Sequence, residues 1–187
     1  MYFLPLNLKK FDVLNTNWVR PTDVVKWQGS EHLNEVFTAS FLEKLSTISK
    51  ISGFMIFNKI HHRSPSNAHA DVALINNQHV YINYGLNIVF DDSTDFPSTM
   101  RWYSRRFPKL KKKILMSAGN TPYMNFSMGE LVLETEHCID EFVTLVRTDV
   151  PHAISSGNGN RTCISIRFHK NYNWDAAVDL FNKTFNQ

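Results

Sequence analysis

His69-Ala70-Asp71 places an imidazole and a carboxylate two residues apart. On an extended strand, residues i and i+2 point to the same face, so both side chains can reach one metal ion. A third ligand must come from elsewhere, and His152 is the best candidate. It follows Pro151 and begins the strand that leads to a turn at Asn158-Gly159. Two histidines and one carboxylate on one face of an octahedral ion leave three positions open. That suits Fe(II) when it must hold a chelating ligand and then dioxygen. A closed zinc site would instead want more Cys or His at tight spacing. His61 and His62 offer imidazoles as well, but adjacent residues on an extended segment point opposite ways.

Arg161 lies nine positions after His152, just past Gly157-Asn158-Gly159-Asn160, and Ser165 lies four beyond it on the same expected face. A tight hairpin centred on 158–159 would set His152 opposite Ser165. Arg161 would then stand about four residues along the strand, roughly 13 Å at ~3.3 Å per residue. A five-carbon diacid and an extended arginine fill such a gap, and a guanidinium can give a carboxylate two parallel hydrogen bonds.

With these residues in place, the chain resembles the Fe(II)/2-oxoglutarate-dependent dioxygenase superfamily. The likeness covers about residues 53–169. The triad matches at His69-Ala70-Asp71 and His152, and the basic residue of the last core strand matches at Arg161. The stretch Pro151–Phe168, PHAISSGNGNRTCISIRF, is similar to the prolyl-hydroxylase branch. Asp149-Val150-Pro151-His152 and Ile88-Val89-Phe90-Asp91-Asp92-Ser93 look like the aspartyl/asparaginyl hydroxylase branch. Cys163 stands where family members often place the middle of a compact Arg-x-Ser, and Arg167 is the second candidate anchor. The resemblance implies a double-stranded β-helix with Fe(II) on His69, Asp71 and His152. It implies 2-oxoglutarate bound through Arg161, and hydroxylation of an unidentified substrate by dioxygen with release of succinate and CO2. That substrate is a protein side chain, an amino acid or a nucleotide. Because Asp71 is retained as a carboxylate, no coordination position is left for halide, and oxygen insertion is the expected outcome. Asn87 is a further candidate, for the carboxylate nearest the metal, and Ser165 for the anchor.

The elements that must position these residues follow from hydrophobic period. Phe37, Phe41, Leu45 and Ile48 share one helical face within 31–49, and Ser40 with Glu43 has the form of a capping box. From Gly53 to Phe168, short runs of Val, Ile, Phe and Tyr alternate with polar turns. They predict strands near 53–58, 69–75, 79–90, 99–104, 129–138, 141–148, 150–155 and 161–169. Trp174, Ala177, Val178 and Phe181 mark a closing helix in 171–187. The pattern predicts one domain, mainly β with flanking helices, a double-stranded β-helix of jelly-roll or cupin-like type. Residues 1–52 would support the core, 53–169 would form it, and 170–187 would cap it. Residues 1–30 give no clear pattern beyond Trp18, Val24, Val25 and Trp27 as strand or packing material.

The chain has 187 residues, 43% hydrophobic and 20% charged, which fits a packed domain and not disorder. A net charge of +3 does not by itself call for nucleic acid. Two cysteines, a start without a basic leader and no long apolar run point to a cytoplasmic protein with no membrane span. The sequons at Asn125, Asn160 and Asn182 should then stay bare. Arg105, Arg106, Lys109, Lys111, Lys112 and Lys113 form a basic run that makes a nucleic-acid partner a less favoured option. Trp102 and Tyr103 read as core aromatics or pocket wall, and Cys163 as a buried residue without a base to activate it. The rival to the oxygenase is a metal-binding, cupin-like ligand module without turnover, which would need neither Arg161 nor 2-oxoglutarate.

Overall fold

The computed structural model describes residues 1–22, 25–59, 67–106, 113–116, 122–155 and 157–187. Strands β1 (Phe3–Lys9) and β2 (Val25–Gly29) precede a 3-10 turn at Ser30–His32 and helices α1 (Leu33–Val36) and α2 (Ala39–Ile48). Strands β3 (Ile51–Lys59), β4 (His69–Ile75), β5 (Gln78–Tyr81), β6 (Tyr84–Asp91) and β7 (Met100–Arg105) follow. Then come β8 (Lys113–Met116), β9 (Pro122–Asn125), β10 (Leu131–His137), β11 (Phe142–Arg147), β12 (His152–Ile154) and β13 (Arg161–Phe168). Helix α3 (Trp174–Phe185) closes the chain. The protein is mainly β, with two antiparallel sheets. One has the order β1-β11-β6-β13-β3-β2 and the other β10-β7-β12-β4-β9-β8, with β5 paired to β4.

Alternation on β13 explains the layering. Ile164 and Ile166 point outward with Leu86, Ile88, Leu145 and Phe54, and meet Leu45 of α2 and Phe181 of α3 in the main core. Cys163 points the other way with Val89 and Val146, against Met100 and Trp102 of the second sheet. Arg161, Ser165 and Arg167 share the parity of Cys163, so they face the space between the sheets.

Several expectations need correcting. The 31–49 helix is interrupted: Phe37 and Thr38 are extended. Their backbone is held by the N-terminal segment, through Asn15 N–H to Val36 O and Thr38 N–H to Val13 O, and these long-range bonds win over helix propagation. The N-cap of α2 is therefore Thr38, so Ser40 and Glu43 form no capping box. The 79–90 strand is two, broken at Ile82-Asn83, where Asn83 bonds to Asn171 and Tyr172. Strands β1, β8 and β9 were not legible. Asn76 and Asn77 take positive φ, 51° and 61°, and join β4 to β5 by a two-residue loop.

The Asn158-Gly159 turn is the largest departure. It does not close a hairpin, because β12 pairs with β4 and β7 whereas β13 pairs with β3 and β6. The turn's polar groups bond to another loop. Gly159 N–H donates to Ser93 Oγ (2.9 Å), Asn158 N–H to Phe96 O (3.0 Å), and Thr94 N–H to Asn158 Oδ1 (3.2 Å). The chain thus crosses from one sheet to the other, and His152 does not lie opposite Ser165 in a ladder.

The closing helix starts at Trp174, where Asn173 Oδ1 accepts the Ala176 N–H. Its face is as expected, with Trp174, Ala177 and Phe181 buried. Among the described residues no helix is long and apolar enough to cross a membrane.

Candidate metal centre

His69 opens β4, and its register partner on β12 is His152. Directly opposed residues of an antiparallel pair have close Cβ atoms, which brings the two imidazoles together with ring centroids 4.5 Å apart. Asp71 follows on the same face of β4. Its Oδ1 lies 3.7 Å from His69 Nε2 and 3.8 Å from His152 Nε2. One ligand atom from each residue falls within 4.8 Å of the others. The sequence-predicted triad is therefore assembled.

Backbone carbonyls orient both rings. His69 Nδ1 meets Asn67 O at 3.1 Å, and His152 Nδ1 meets Val150 O at 2.9 Å. With Nδ1 protonated, each ring turns its Nε2 lone pair toward the carboxylate, which is how an outer partner fixes a metal-ligand tautomer. Each carbonyl comes from the residue two before its histidine, so the same local geometry recurs twice. Burial, together with the neighbouring His69, pushes the pKa of His152 down to about 4. That ring is therefore neutral and able to coordinate at neutral pH. Burial works to raise the Asp71 pKa, but Arg167, His152 and His69 outweigh it and hold the carboxyl below its ordinary value. Two imidazoles and a carboxylate, converging in a half-closed corner, could hold a metal ion.

Arg167 is part of this corner. Its Nη2 donates to Asp71 Oδ2 at 2.5 Å, leaving Oδ1 toward the histidines. Its Nη1 is buried without a hydrogen-bond partner. The guanidinium lies across Gly85, where a Cβ would collide with Nη1. A side chain at Gly85 would force the guanidinium to move, and nothing in the local sequence signals it. Arg167, the second candidate anchor, is paired with the carboxylate of Asp71.

Arg161 lies elsewhere on β13. It is 5% exposed, and among the described residues no carboxylate comes within ion-pair distance. Its register partner Asp91 accepts from Ser93 N–H, Ser98 N–H and the Ser98 hydroxyl instead. Arg161 sits against the thiol of Cys163, whose pKa is pushed up by burial while Arg161 pulls it back. Both cysteines are free. Ser165 and Asn87 are buried between the two arginines and bond to each other, Ser165 Oγ donating to Asn87 Oδ1 at 2.6 Å.

A pocket of about 650 Å3 opens beside the corner, with His69, Asp71, Arg167, Trp27 and Tyr123 in its wall. Tyr123, which the sequence reading missed, sits opposite Asp71 on β9 and meets the His69 ring edge-on. Trp102 is a core residue, fully buried with its Nε1–H on Arg147 O, and Tyr103 is buried too. Of the basic run, Lys109, Lys111 and Lys112 lie outside the described residues, as do His61 and His62. Arg105 stacks over Phe126.

No protein-family model and no curated protein sequence matches this chain.

Proposed function

We propose that the chain is an Fe(II)- and 2-oxoglutarate-dependent dioxygenase on a double-stranded β-helix. The supporting observation is the pairing of two features on facing sheets. His69, Asp71 and His152 converge to one point, and β13 turns Arg161, a buried cation with no carboxylate partner among the described residues, into the same inter-sheet space. A buried guanidinium without a counter-charge is costly in a ligand-free protein and is explained by an anionic ligand.

The chain's residues divide the work. His69, Asp71 and His152 would hold the ion, which would supply redox chemistry with dioxygen. Arg161 would take the carboxylate of 2-oxoglutarate far from the metal. Arg167 serves Asp71 in this reading, with its Nη2 already on that carboxylate. It holds Asp71 through one oxygen and keeps the other turned to the ion. The two arginines lie six residues apart on one strand face, about 20 Å at ~3.3 Å per residue. Ser165 and Asn87 lie between the two arginines, and the sheets around Trp102 and Val89 would exclude water.

Against the non-catalytic module stands Arg161, which such a module does not require. Anaerobic addition of Fe(II) and then 2-oxoglutarate should give the weak visible absorption of a keto acid chelated to iron. Iron binding without that band would favour the module, and absence of iron binding would remove both readings.

A further inference from the structure

The pocket beside the metal corner has a small-molecule size, against a usual range of ~300–1,000 Å3, and most of its surface is apolar, with Trp27, Met55, Phe57, Ile75, Ile82 and Tyr123 in the wall. Its amide at Asn171 is already engaged, accepting from Asn83 N–H and donating to Tyr81 O. The only carboxylate in the wall, among the described residues, is Asp71. One of its oxygens is on Arg167 and the other faces the two histidines. The other ionisable side chains in the wall are the bases His69, Arg167 and His169 and the phenol of Tyr123. An ammonium group entering this pocket would lose its water and meet no free counter-charge among the described residues, and a metal ion in the triad would repel it further.

We propose that the pocket receives a neutral, hydrocarbon-rich group of a small molecule and excludes cationic ones, so that amines such as lysine side chains are not substrates. This rests on the oxygenase reading for what is done to that group, but the selectivity belongs to the pocket alone. Trp27 and Ile75 are 40% and 48% exposed, so the lip is open and can be altered without touching the core.

The test is calorimetric titration of the metal-free full chain with two probes of one skeleton, 3-phenylpropan-1-ol and 3-phenylpropylamine. The alcohol should bind, and the amine should bind at least tenfold more weakly. Trp27→Ala should weaken the alcohol, and Ile75→Glu should narrow or reverse the preference, with circular dichroism confirming that both variants fold. Equal or tighter binding of the amine, no binding of the alcohol to folded protein, or a preference indifferent to Ile75→Glu would overturn the proposal. Iron and 2-oxoglutarate binding are measured separately on the same protein. Their failure with the alcohol preference intact removes the oxygenase reading and leaves the pocket assignment standing.

Discussion

Arg161 and Arg167 are one residue type, on one face of one strand, yet they sit in opposite electrostatic settings. Arg167 holds Asp71 at 2.5 Å and lies partly open to the pocket. Arg161 is buried with a thiol beside it, and Asp91, the carboxylate nearest in register, is taken by Ser93 and Ser98. A paired charge at a metal corner reads as a device for orienting a ligand. An unpaired buried charge reads as a site waiting for an anion. The two should therefore separate when stability and binding are measured together.

The largest effects belong to the corner itself. Removing a ligand, by His152→Ala or Asp71→Ala, should lower iron affinity by on the order of 100-fold or more, since even outer partners of such ligands are worth ~10–100-fold. Metal analysis after anaerobic loading reads this directly. Undiminished iron in either variant would break the assignment. Asp71→Ala also strands Arg167 and should cost about 3 kcal/mol of stability, the lower end for a pair that is not fully enclosed.

Arg161→Met sharpens the comparison. Leaving a ligand carboxylate without its cation costs about 3–5 kcal/mol, so the demand for 2-oxoglutarate should rise by at least about 100-fold while iron binding is kept. The same change removes a buried unpaired charge, so the metal-free protein should keep or raise its Tm. Arg167→Met should do the reverse, lowering Tm and weakening iron through Asp71. If Arg161→Met lowers Tm and leaves the 2-oxoglutarate requirement alone, the contrast between the two arginines is wrong.

A pH series tests the corner without metal. Burial holds the native His152 pKa at about 4 against 6.5 for the ordinary ring. Between those values the unfolded chain binds a proton that the native protein does not. Stability therefore falls as pH drops from 6.5 to 4, by about 3 kcal/mol in all. Asp71, whose native pKa is depressed, adds stability that is full above its unfolded value and is lost as pH falls through its folded one. The acid limb should thus have two stages, and His152→Asn should flatten the first. Urea unfolding in the presence of a chelator at each pH reads it, and a single stage near pH 3 would contradict the neutral, buried His152.

The triad was legible because a strand's two-residue period is strict. His69 and Asp71 share a face whatever the strand pairs with. His152 was legible only as a residue type after Pro151; its closeness to His69 comes from a β4–β12 register that no local pattern encodes. The Asn158-Gly159 signal misled because turn residues report local backbone preference. They do not report which sheet the next strand joins, which here is decided by bonds from Gly159 and Asn158 to the 93–96 loop. Phe37 shows the same limit. Its helical spacing placed it correctly in the core at 1% exposure, although the backbone there is extended. Tyr123 was missed with its strand, since four-residue β9 follows a basic, turn-rich stretch with little alternation.

A smaller effect is expected at Gly85, where the Cβ of Gly85→Ala would collide with Arg167 Nη1. The guanidinium must move, so the Arg167–Asp71 pair should loosen, at a cost of about 1–3 kcal/mol for overpacking. Iron affinity should fall modestly while 2-oxoglutarate demand, set by Arg161, should change less. An equal loss of both would mean that the two ends of β13 are not independent.

The smallest effect should come from Ser165, midway between the arginines. Its hydroxyl already donates to Asn87 Oδ1, so it has a hydrogen bond to lose whether or not a co-substrate passes by. Ser165→Ala leaves a buried amide oxygen unsatisfied, a penalty of about 1–3 kcal/mol. That should appear in the thermal unfolding of the ligand-free protein. The hydroxyl keeps its lone pairs, which can accept but cannot donate to a carboxylate, so its direct pull on 2-oxoglutarate should be weak. The 2-oxoglutarate requirement should therefore shift by only a few-fold, far less than in Arg161→Met, and the Asn87→Ala, Ser165→Ala pair should be non-additive in stability because both lose one bond. A shift in the requirement as large as that of Arg161→Met would place the anchor at the middle of the strand and not at its far end.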